Sequence, residues 1–247
     1  RMGTLRFDLL AINDLVSPFL SAGFYYKTFM WPRAFWERVY EPIIRRAAGL
    51  GSLSGHHDEG HYEKAFAFCD LLVVGAGPTG LIAALTAGRA GADVILADED
   101  SRLGGRLLSN GETVDGQPGP DWIASVLAEL AALPNVRIMS RTTVTGAYDD
   151  GAFGALERVS LHKRARPDQP RECFWRITAR RTVLAAGALE RSIAFPANDR
   201  PGIMLASGVQ SYLNRYGVAA GNRVTLFANN DGARAVAHDG VGSGERA

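Results

Sequence analysis

Gly75, Gly77 and Gly80 follow one another with one and two residues between them, in the stretch VVGAGPTGLIAAL. An apolar run at 71–74 precedes them and an alanine-rich run follows, which predicts a buried strand, a tight turn and a helix. Glycines at this spacing let the backbone approach a pyrophosphate group. The pattern therefore predicts a site for the ADP half of a dinucleotide, and the alternative is a glycine-rich turn that binds nothing.

The helix after the glycines begins with Pro78 and Thr79, and the N–H groups of its first turn favour a phosphate. The next apolar run, 93–97, predicts a second strand, which leads into Asp98 and Glu99. A carboxylate at the end of this strand hydrogen-bonds a ribose hydroxyl and disfavours a 2′-phosphate. We therefore predict NAD rather than NADP in this site, with FAD as the alternative occupant.

The composition argues against several other kinds of partner. Lys and Arg number 27 and Asp and Glu number 26, so the net charge of +1 gives no field that attracts nucleic acid or an acidic membrane. Apolar runs are too short to span a bilayer, and the charged N-terminus lacks a signal peptide's apolar core. Cys69 and Cys173 lie far apart in sequence, which suits a reducing compartment. We expect a cytoplasmic protein that binds neither nucleic acid nor membranes.

Side chains that could carry out acid–base or metal chemistry are poorly placed. The run HHDEGH at 56–61 lacks the spacing of a metalloprotease motif and is bordered by glycines, which indicates a solvated loop. No histidine, carboxylate pair or activated nucleophile occupies a position that demands proton transfer. We predict neither a metal site nor a catalytic residue in this chain.

The first part of the chain, residues 1–68, is predicted to be an aromatic linker. Its apolar residues recur at helical spacing over 32–47, and Pro42 should kink or split that helix. The helix either covers the next domain or forms a subunit interface, where aromatic and arginine side chains are common. The polar, glycine-rich stretch 49–66 is interpreted as a loop that leads into the domain.

Residues 69–217 are predicted to form an α/β, Rossmann-like FAD/NAD-binding domain. A helix from Pro120 to just before Pro134 and a strand at 136–139 continue the alternation of helix and strand. A small antiparallel β insert is expected at about 146–179. The final segment, 218–247, contains an apolar run at 223–228 that is predicted to be a strand opening a second nucleotide-fold lobe.

A second glycine pair, Gly104 and Gly105 in SRLGGRLL, makes a resemblance specific. The chain resembles the flavoproteins with two dinucleotide-binding domains, in which such a pair follows the second strand and touches the dinucleotide. The stretch VLAAGA resembles the late strand of that family, although alanine stands where threonine is usual. The resemblance implies cofactor contacts at the glycine pair, at Arg106 and at Gly187.

Longer motifs narrow the resemblance. The stretches CDLLVVGAGPTGL, LADEDSRLGGRLL and LAAGALERSIAFPANDRPGIMLASGVQSYLNRYGV are similar to the alpha subunits of heterotetrameric sarcosine oxidase. AGFYYKTFMWPRAFWERVYEPIIRRAAGLG is similar to the linker before the dinucleotide domain of those subunits. The similarity covers most of residues 5–239. A ferredoxin-like domain and an aminomethyltransferase-like region flank this part in the family, so we expect a fragment truncated at both ends.

This resemblance implies a division of labour among subunits. The alpha chain holds NAD and contributes to an FMN site at its junction with the beta flavin subunit, and small subunits complete the hetero-oligomer. Sarcosine is oxidatively demethylated on the flavin of the beta chain, which yields glycine, formaldehyde and hydrogen peroxide. The alternatives are the alpha chain of an opine dehydrogenase, proline dehydrogenase or hydrogen cyanide synthase complex, a reductase of the disulfide-reductase type, and a non-catalytic dinucleotide-binding module.

Overall fold

The computed structural model describes residues 11, 15, 17–19, 31–51, 54–164, 166–229 and 236–237. The chain divides into two units, Arg1–Glu59 and Gly60–Ala247. The sequence analysis placed this division near residue 69. Each unit is described by itself.

The described part of the first unit contains a helical stretch that changes type along its length. A 3-10 turn at Arg33–Phe35 is followed by a π-helical turn at Trp36–Tyr40 and by helix α1, Glu41–Ala47. Pro42 lies in the first turn of α1, where its missing N–H group costs no helical hydrogen bond. The predicted interruption therefore takes the form of a π turn immediately before the proline. The aromatic residues at 24–30 lie outside the described part.

The second unit is built on a mixed sheet of six strands, and a separate pair of two-residue strands lies beside it. The strands are β1 (Tyr62–Val74), β2 (Val94–Ala97), β3 (Thr113–Val114), β4 (Gln117–Pro118), β5 (Val136–Met139), β6 (Thr142–Ala147), β7 (Ala152–Glu157) and β8 (Glu172–Leu184). In the six-stranded sheet their order is β5–β2–β1–β8–β7–β6. Strands β5, β2, β1 and β8 run parallel, whereas β7 and β6 continue the sheet in antiparallel fashion. The prediction of an α/β, Rossmann-like fold is confirmed.

Strands β1 and β8 are longer than the sequence predicted. Each has 13 residues, and they pair in parallel from Tyr62 opposite Glu172 to Val74 opposite Leu184. The interpretation of 49–66 as a loop is therefore wrong from Tyr62 onward, because β8 supplies the hydrogen bonds that these polar residues do not signal. The antiparallel part begins at β6, several residues before the predicted insert, and its last strand continues without a break into the late parallel strand.

Three helices accompany this sheet, and the sheet contributes to two hydrophobic cores. The helices are α2 (Pro78–Arg89), α3 (Gly119–Ala132) and α4 (Ala206–Tyr216), and short 3-10 turns lie at Gly105–Leu108 and Asp149–Gly151. Helices α2 and α3 cover one face of the parallel strands, where Leu81 and Leu130 are fully buried in the first core. The antiparallel strands contribute to the second core, in which Leu72 and Ile177 are fully buried.

The segment after α4 differs from its prediction. Residues 223–228 form no strand, and Val224 and Phe227 are 61% and 68% exposed. An apolar run becomes a strand only when a neighbouring strand pairs with it, and the described residues provide none here. Within the described ranges, no helix is long and apolar enough to cross a membrane.

Candidate dinucleotide-binding site

The predicted glycine turn lies at the edge of the sheet where the carboxyl ends of the parallel strands meet. The N–H group of Gly75 donates a hydrogen bond to the carbonyl of Ala97, at 2.8 Å, and that of Ala185 donates to Val74, also at 2.8 Å. These bonds join the residues that follow β1 and β8 to neighbouring strands. Open α/β sheets bind their ligands outside this edge.

Two of the three glycines are required by the fold itself. Gly75 has φ of +99°, and a Cβ atom there would lie 2.8 Å from the carbonyl carbon of Ala185. A Cβ atom at Gly80 would overlap the carbonyl oxygen of Gly75 and lie 2.9 Å from its carbon. The first of these glycines permits the turn, and the other lets α2 start directly against it.

Gly77 is different, because nothing in the described chain explains its lack of a side chain. Its φ and ψ are −69° and −179°, an extended conformation that any residue adopts, and a Cβ atom would meet no atom within 4 Å. Gly77 is the N-cap of α2, Pro78 is the first helical residue, and Thr79 follows it in the first turn. The first N–H groups of a helix have no acceptor within the helix. Open space and helix-start donors therefore coincide at this point.

The second glycine pair packs against the first glycine turn, as a shared site requires. The Gly104 N–H group donates to the carbonyl of Ala76 at 2.9 Å. A Cβ atom at Gly105 would lie 2.9 Å from the Cα atom of Gly77, and one at Gly104 would overlap the side chain of Ile123. This pair therefore has no room for side chains, and it brings the two predicted glycine motifs together.

Arg106 is exposed in the 3-10 turn that follows this glycine pair, near the carboxylate of Glu190. Partial burial raises the pKa of Glu190, but hydrogen bonds from Ser207 and Ala206 and the charge of Arg106 outweigh it and lower the pKa. The Glu190 carboxylate accepts from the N–H groups of Ala206 and Ser207 at 3.2 and 2.7 Å. It thereby caps the start of α4.

Asp98 has a structural partner that the sequence did not reveal. Its Oδ2 atom accepts from the N–H group of Ala76 at 2.6 Å, and its Oδ1 atom accepts from that of Asp100 at 2.7 Å. The carboxylate thus ties the end of β2 to the glycine turn. The neighbouring Glu99 is exposed, and its carbonyl accepts from Arg158 at 2.6 Å. Both carboxylates lie beside the glycine motifs, and a ribose contact of either one stays a prediction.

Asp100 and Arg215 form an ion pair that no sequence signal indicated. Two guanidinium nitrogens contact the two carboxylate oxygens at 2.7 and 2.9 Å. The hydrogen bonds from Arg215 lower the pKa of Asp100 to about 2, although partial burial opposes the shift. Charged residues 115 positions apart meet only because α4 packs beside the loop after β2.

Gly187, the last predicted cofactor contact, follows β8 and is exposed. Its φ is +70°, and a Cβ atom there would meet no atom within 4 Å. The left-handed backbone conformation is enough to favour glycine at this position. The structure therefore gives no separate reason for a cofactor contact there.

The two cysteines are free and buried. Burial raises the pKa of the Cys69 thiol to about 11, and it also raises the pKa of Cys173. Because the thiolate is the reactive form of cysteine, neither side chain is suited to redox exchange. Among the residues that the structure describes, no three His, Cys, Asp or Glu side chains are grouped closely enough to hold a metal ion.

A shallow cavity of about 470 Å³ lies elsewhere on the sheet. It is lined by residues of β1, of β8 and of the turn before β7, and none of the predicted site residues takes part. The lining residues are Phe68, Cys69, Asp150, Gly151, Thr178, Ala179 and Arg180. A groove that holds an extended dinucleotide is open to solvent along its length, so cavity volume does not identify this site.

Comparison with known proteins gives consistent results. Residues 70–133 match the sequence model of the family described as FAD dependent oxidoreductase. The chain is 56% identical to the alpha subunit of sarcosine oxidase from Rhizobium meliloti, over 94% of this chain and 24% of that protein. It is a relative of the sarcosine oxidase alpha subunits. The resemblance stated from the sequence motifs is thereby confirmed, and the chain spans about a quarter of this relative's length.

Two further proteins share more distant similarity. The first of the two named subunits of opine oxidase from Agrobacterium tumefaciens is 35% identical over 65% of this chain and 32% of its own length. The crystal structure of L-proline dehydrogenase from P. horikoshii superposes with a TM-score of 0.59 at 24% identity, covering 77% of this chain and 36% of that one. The superposition shows a common fold. The relatives and the family model support a dinucleotide-binding part of an oxidoreductase complex.

Proposed function

We propose that this chain is the dinucleotide-binding part of a sarcosine oxidase alpha-like subunit. The glycine turn holds the ADP half of NAD, with its pyrophosphate against Gly77 and the first turn of α2. Gly105 and Arg106 border the same ligand from the loop above. The chain supports oxidative demethylation of sarcosine, and the amine itself is oxidised on the flavin of a partner chain.

The observation that carries this proposal is the open space at Gly77. Gly75 and Gly80 are explained by backbone conformation and by packing within the chain, and Gly77 is explained by neither. A ligand that needs the backbone to approach closely explains it directly. The N-terminus of α2, which attracts a phosphate, lies at the same residue.

The acidic residues after β2 favour NAD over NADP in this proposal. Asp98 and Glu99 place negative charge at the end of the strand, where a 2′-phosphate would be repelled. Each oxygen of Asp98 accepts one backbone hydrogen bond, and a carboxylate oxygen has two lone pairs, so capacity for a ribose hydroxyl is left. FAD shares the ADP half and is the alternative occupant. An FMN site at a subunit junction stays part of the proposal.

Sarcosine is the favoured amine because the sarcosine oxidase relative is much more similar than the opine oxidase relative. Both relatives are named as subunits, which supports a hetero-oligomer in which small subunits accompany a beta flavin subunit. The corresponding chain of an opine oxidase type complex is the second candidate, since that relative matches about two thirds of this chain.

The test of the site is the variant Gly77→Ala. A methyl group there meets no protein atom, so the thermal unfolding midpoint should stay unchanged, while a methyl group in the pyrophosphate groove should weaken binding. Calorimetric titration with NAD and FAD should show a loss of affinity of about tenfold or more, since each tenfold corresponds to about 1.4 kcal/mol. Gly221→Ala is the matched control, because its Cβ atom would also meet only one distant atom, at 3.8 Å.

Equal affinities of the wild-type chain and Gly77→Ala for both dinucleotides would contradict this assignment. A separate measurement tests the division of labour. The 247-residue chain alone should form no peroxide from sarcosine. The complete complex with a beta flavin subunit should form it, and peroxide formation by the chain alone would exclude the proposed arrangement.

A further inference from the structure

Helix α4 packs against the loop that follows β2, which we define as the acidic loop, residues 98–110. Ser211 Oγ lies 3.1 Å from Ser109 Oγ, and the side-chain amide of Asn214 donates to the Ser109 carbonyl at 2.6 Å. At the other end of α4, Glu190 caps the helix and lies near Arg106. One side of α4 is therefore connected to the loop that carries the second glycine pair.

The strongest of these connections is the pair between Arg215 and Asp100. Arg215 has 16% of its side chain exposed, and its guanidinium makes two parallel hydrogen bonds to the carboxylate. Bidentate arginine–carboxylate contacts fix relative orientation as well as distance. The Asp100 carboxylate also accepts from the N–H group of Ser101, at 2.6 Å. The arginine therefore fixes the point where the acidic loop leaves β2.

From Asp100 the contacts continue to the glycine turn. The Asp100 N–H group donates to Asp98 Oδ1 at 2.7 Å, and Asp98 Oδ2 accepts from the N–H group of Ala76 at 2.6 Å. Ala76 lies between Gly75 and Gly77, and its carbonyl accepts from Gly104. A continuous series of hydrogen bonds thus joins α4 to both glycine motifs.

We propose that Arg215 is a positioning residue for the dinucleotide, acting through Asp100 and Asp98 on the glycine turn. The inference rests on the proposed function of that turn. Its consequence is that a side chain far away in sequence, on a helix outside the strand–turn–helix motif, controls cofactor affinity. A pair that only stabilised the fold would affect the unfolding midpoint without affecting the geometry of the turn.

The test compares Arg215→Met and Arg215→Lys with a matched control, Arg89→Met. Arg89 makes a similar two-pronged contact with Glu129, but at the end of α2 opposite the glycine turn. We expect Arg215→Met to weaken binding of NAD by at least about fivefold, the lower end of typical coupling between sites. Arg215→Lys should restore part of the affinity, because an ammonium group keeps the charge without the planar fork. Arg89→Met should change affinity by less than about twofold, since it lies outside the series of hydrogen bonds.

A double-mutant cycle with Asp100→Asn identifies the route. If Arg215 acts through this carboxylate, the double variant Asp100→Asn/Arg215→Met should bind NAD no more weakly than the weaker single variant. Multiplication of the two single losses would contradict this route. Unchanged affinity in Arg215→Met, or equal losses in Arg215→Met and Arg89→Met, would overturn the inference while leaving the proposed function intact.

Hydrogen–deuterium exchange of the ligand-free chain decides the matter without a bound dinucleotide. The amides of Ala76 and Asp100 should exchange faster in Arg215→Met than in the wild type, and Arg89→Met should leave them unchanged. Unchanged exchange at both amides in Arg215→Met would refute the coupling even if the wild-type chain bound neither NAD nor FAD. Failure of wild-type binding would refute the proposed function separately.

Discussion

Replacing Gly80 by alanine tests whether the start of α2 is held by direct packing on the glycine turn. The new Cβ atom would overlap the carbonyl oxygen of Gly75 and lie 2.9 Å from its carbon, with the Ala185 side chain at 3.4 Å. A backbone carbonyl cannot rotate away as the end of a flexible side chain does. The helix must therefore move away from the turn or the turn must deform.

The expected magnitude follows from two opposing effects. Alanine is favoured over glycine within a helix by roughly 0.5–1 kcal/mol. Overpacking of a tight contact costs about 1–3 kcal/mol, because backbone and side chains shift from their preferred positions. The packing cost is the larger effect, so we expect Gly80→Ala to lower the free energy of unfolding by about 1–2 kcal/mol. For a unit of this size that corresponds to a midpoint lower by about 2–8 °C.

Thermal unfolding followed by circular dichroism measures this difference, and Gly77→Ala is the control within the same turn. That substitution adds the same methyl group where no atom lies within 4 Å, so its midpoint should equal that of the wild type. A midpoint for Gly80→Ala at or above the wild-type value would refute the packing argument. Equal losses in both variants would show that the whole turn is intolerant of side chains.

Four further results are expected. Ile177→Ala should lower the free energy of unfolding by about 2–5 kcal/mol in urea titrations, because Ile177 is fully buried in the second core. Gly208→Ala in α4 should raise the thermal midpoint slightly, since its Cβ atom would meet nothing closer than 3.9 Å and glycine disfavours helices. The Cys69 thiol should react with a thiol reagent at about pH 8 only after denaturation, because burial raises its pKa to about 11. The pKa of Asp100 is lowered to about 2 by Arg215, so the stability from this pair should be fully present above about pH 4 and lost as the pH falls towards 2; the stability difference between wild type and Arg215→Met, measured by urea titration, should shrink over that range.

Elements whose signals lie within a few neighbouring residues were predicted well. Helix α2 begins at Pro78, β2 ends at Ala97, and β5 spans Val136–Met139, as the apolar runs and glycines indicated. Periodicity, helix-start residues and a glycine turn are encoded in contiguous sequence, and the fold class follows from their order. These signals also located the glycine turn.

Elements that depend on a distant strand were predicted poorly. Residues 62–69 resemble a loop in composition but form half of β1, because β8 pairs with them along their whole length. The run at 223–228 has the composition of a strand and forms none in the structure. Strand formation depends on hydrogen bonds to a partner, and a single segment does not specify whether that partner is available.

The sequence by itself determined the order of strand, glycine turn and helix, and it placed Gly77, Asp98 and the second glycine pair near one another through short connections. Only the tertiary structure decided that Asp98 is bonded to the glycine turn and that Arg215 holds Asp100 from α4. The physical reason is separation along the chain. Local backbone preferences extend over a few residues, whereas a contact between residues 115 positions apart exists only after the sheet and its helices have packed.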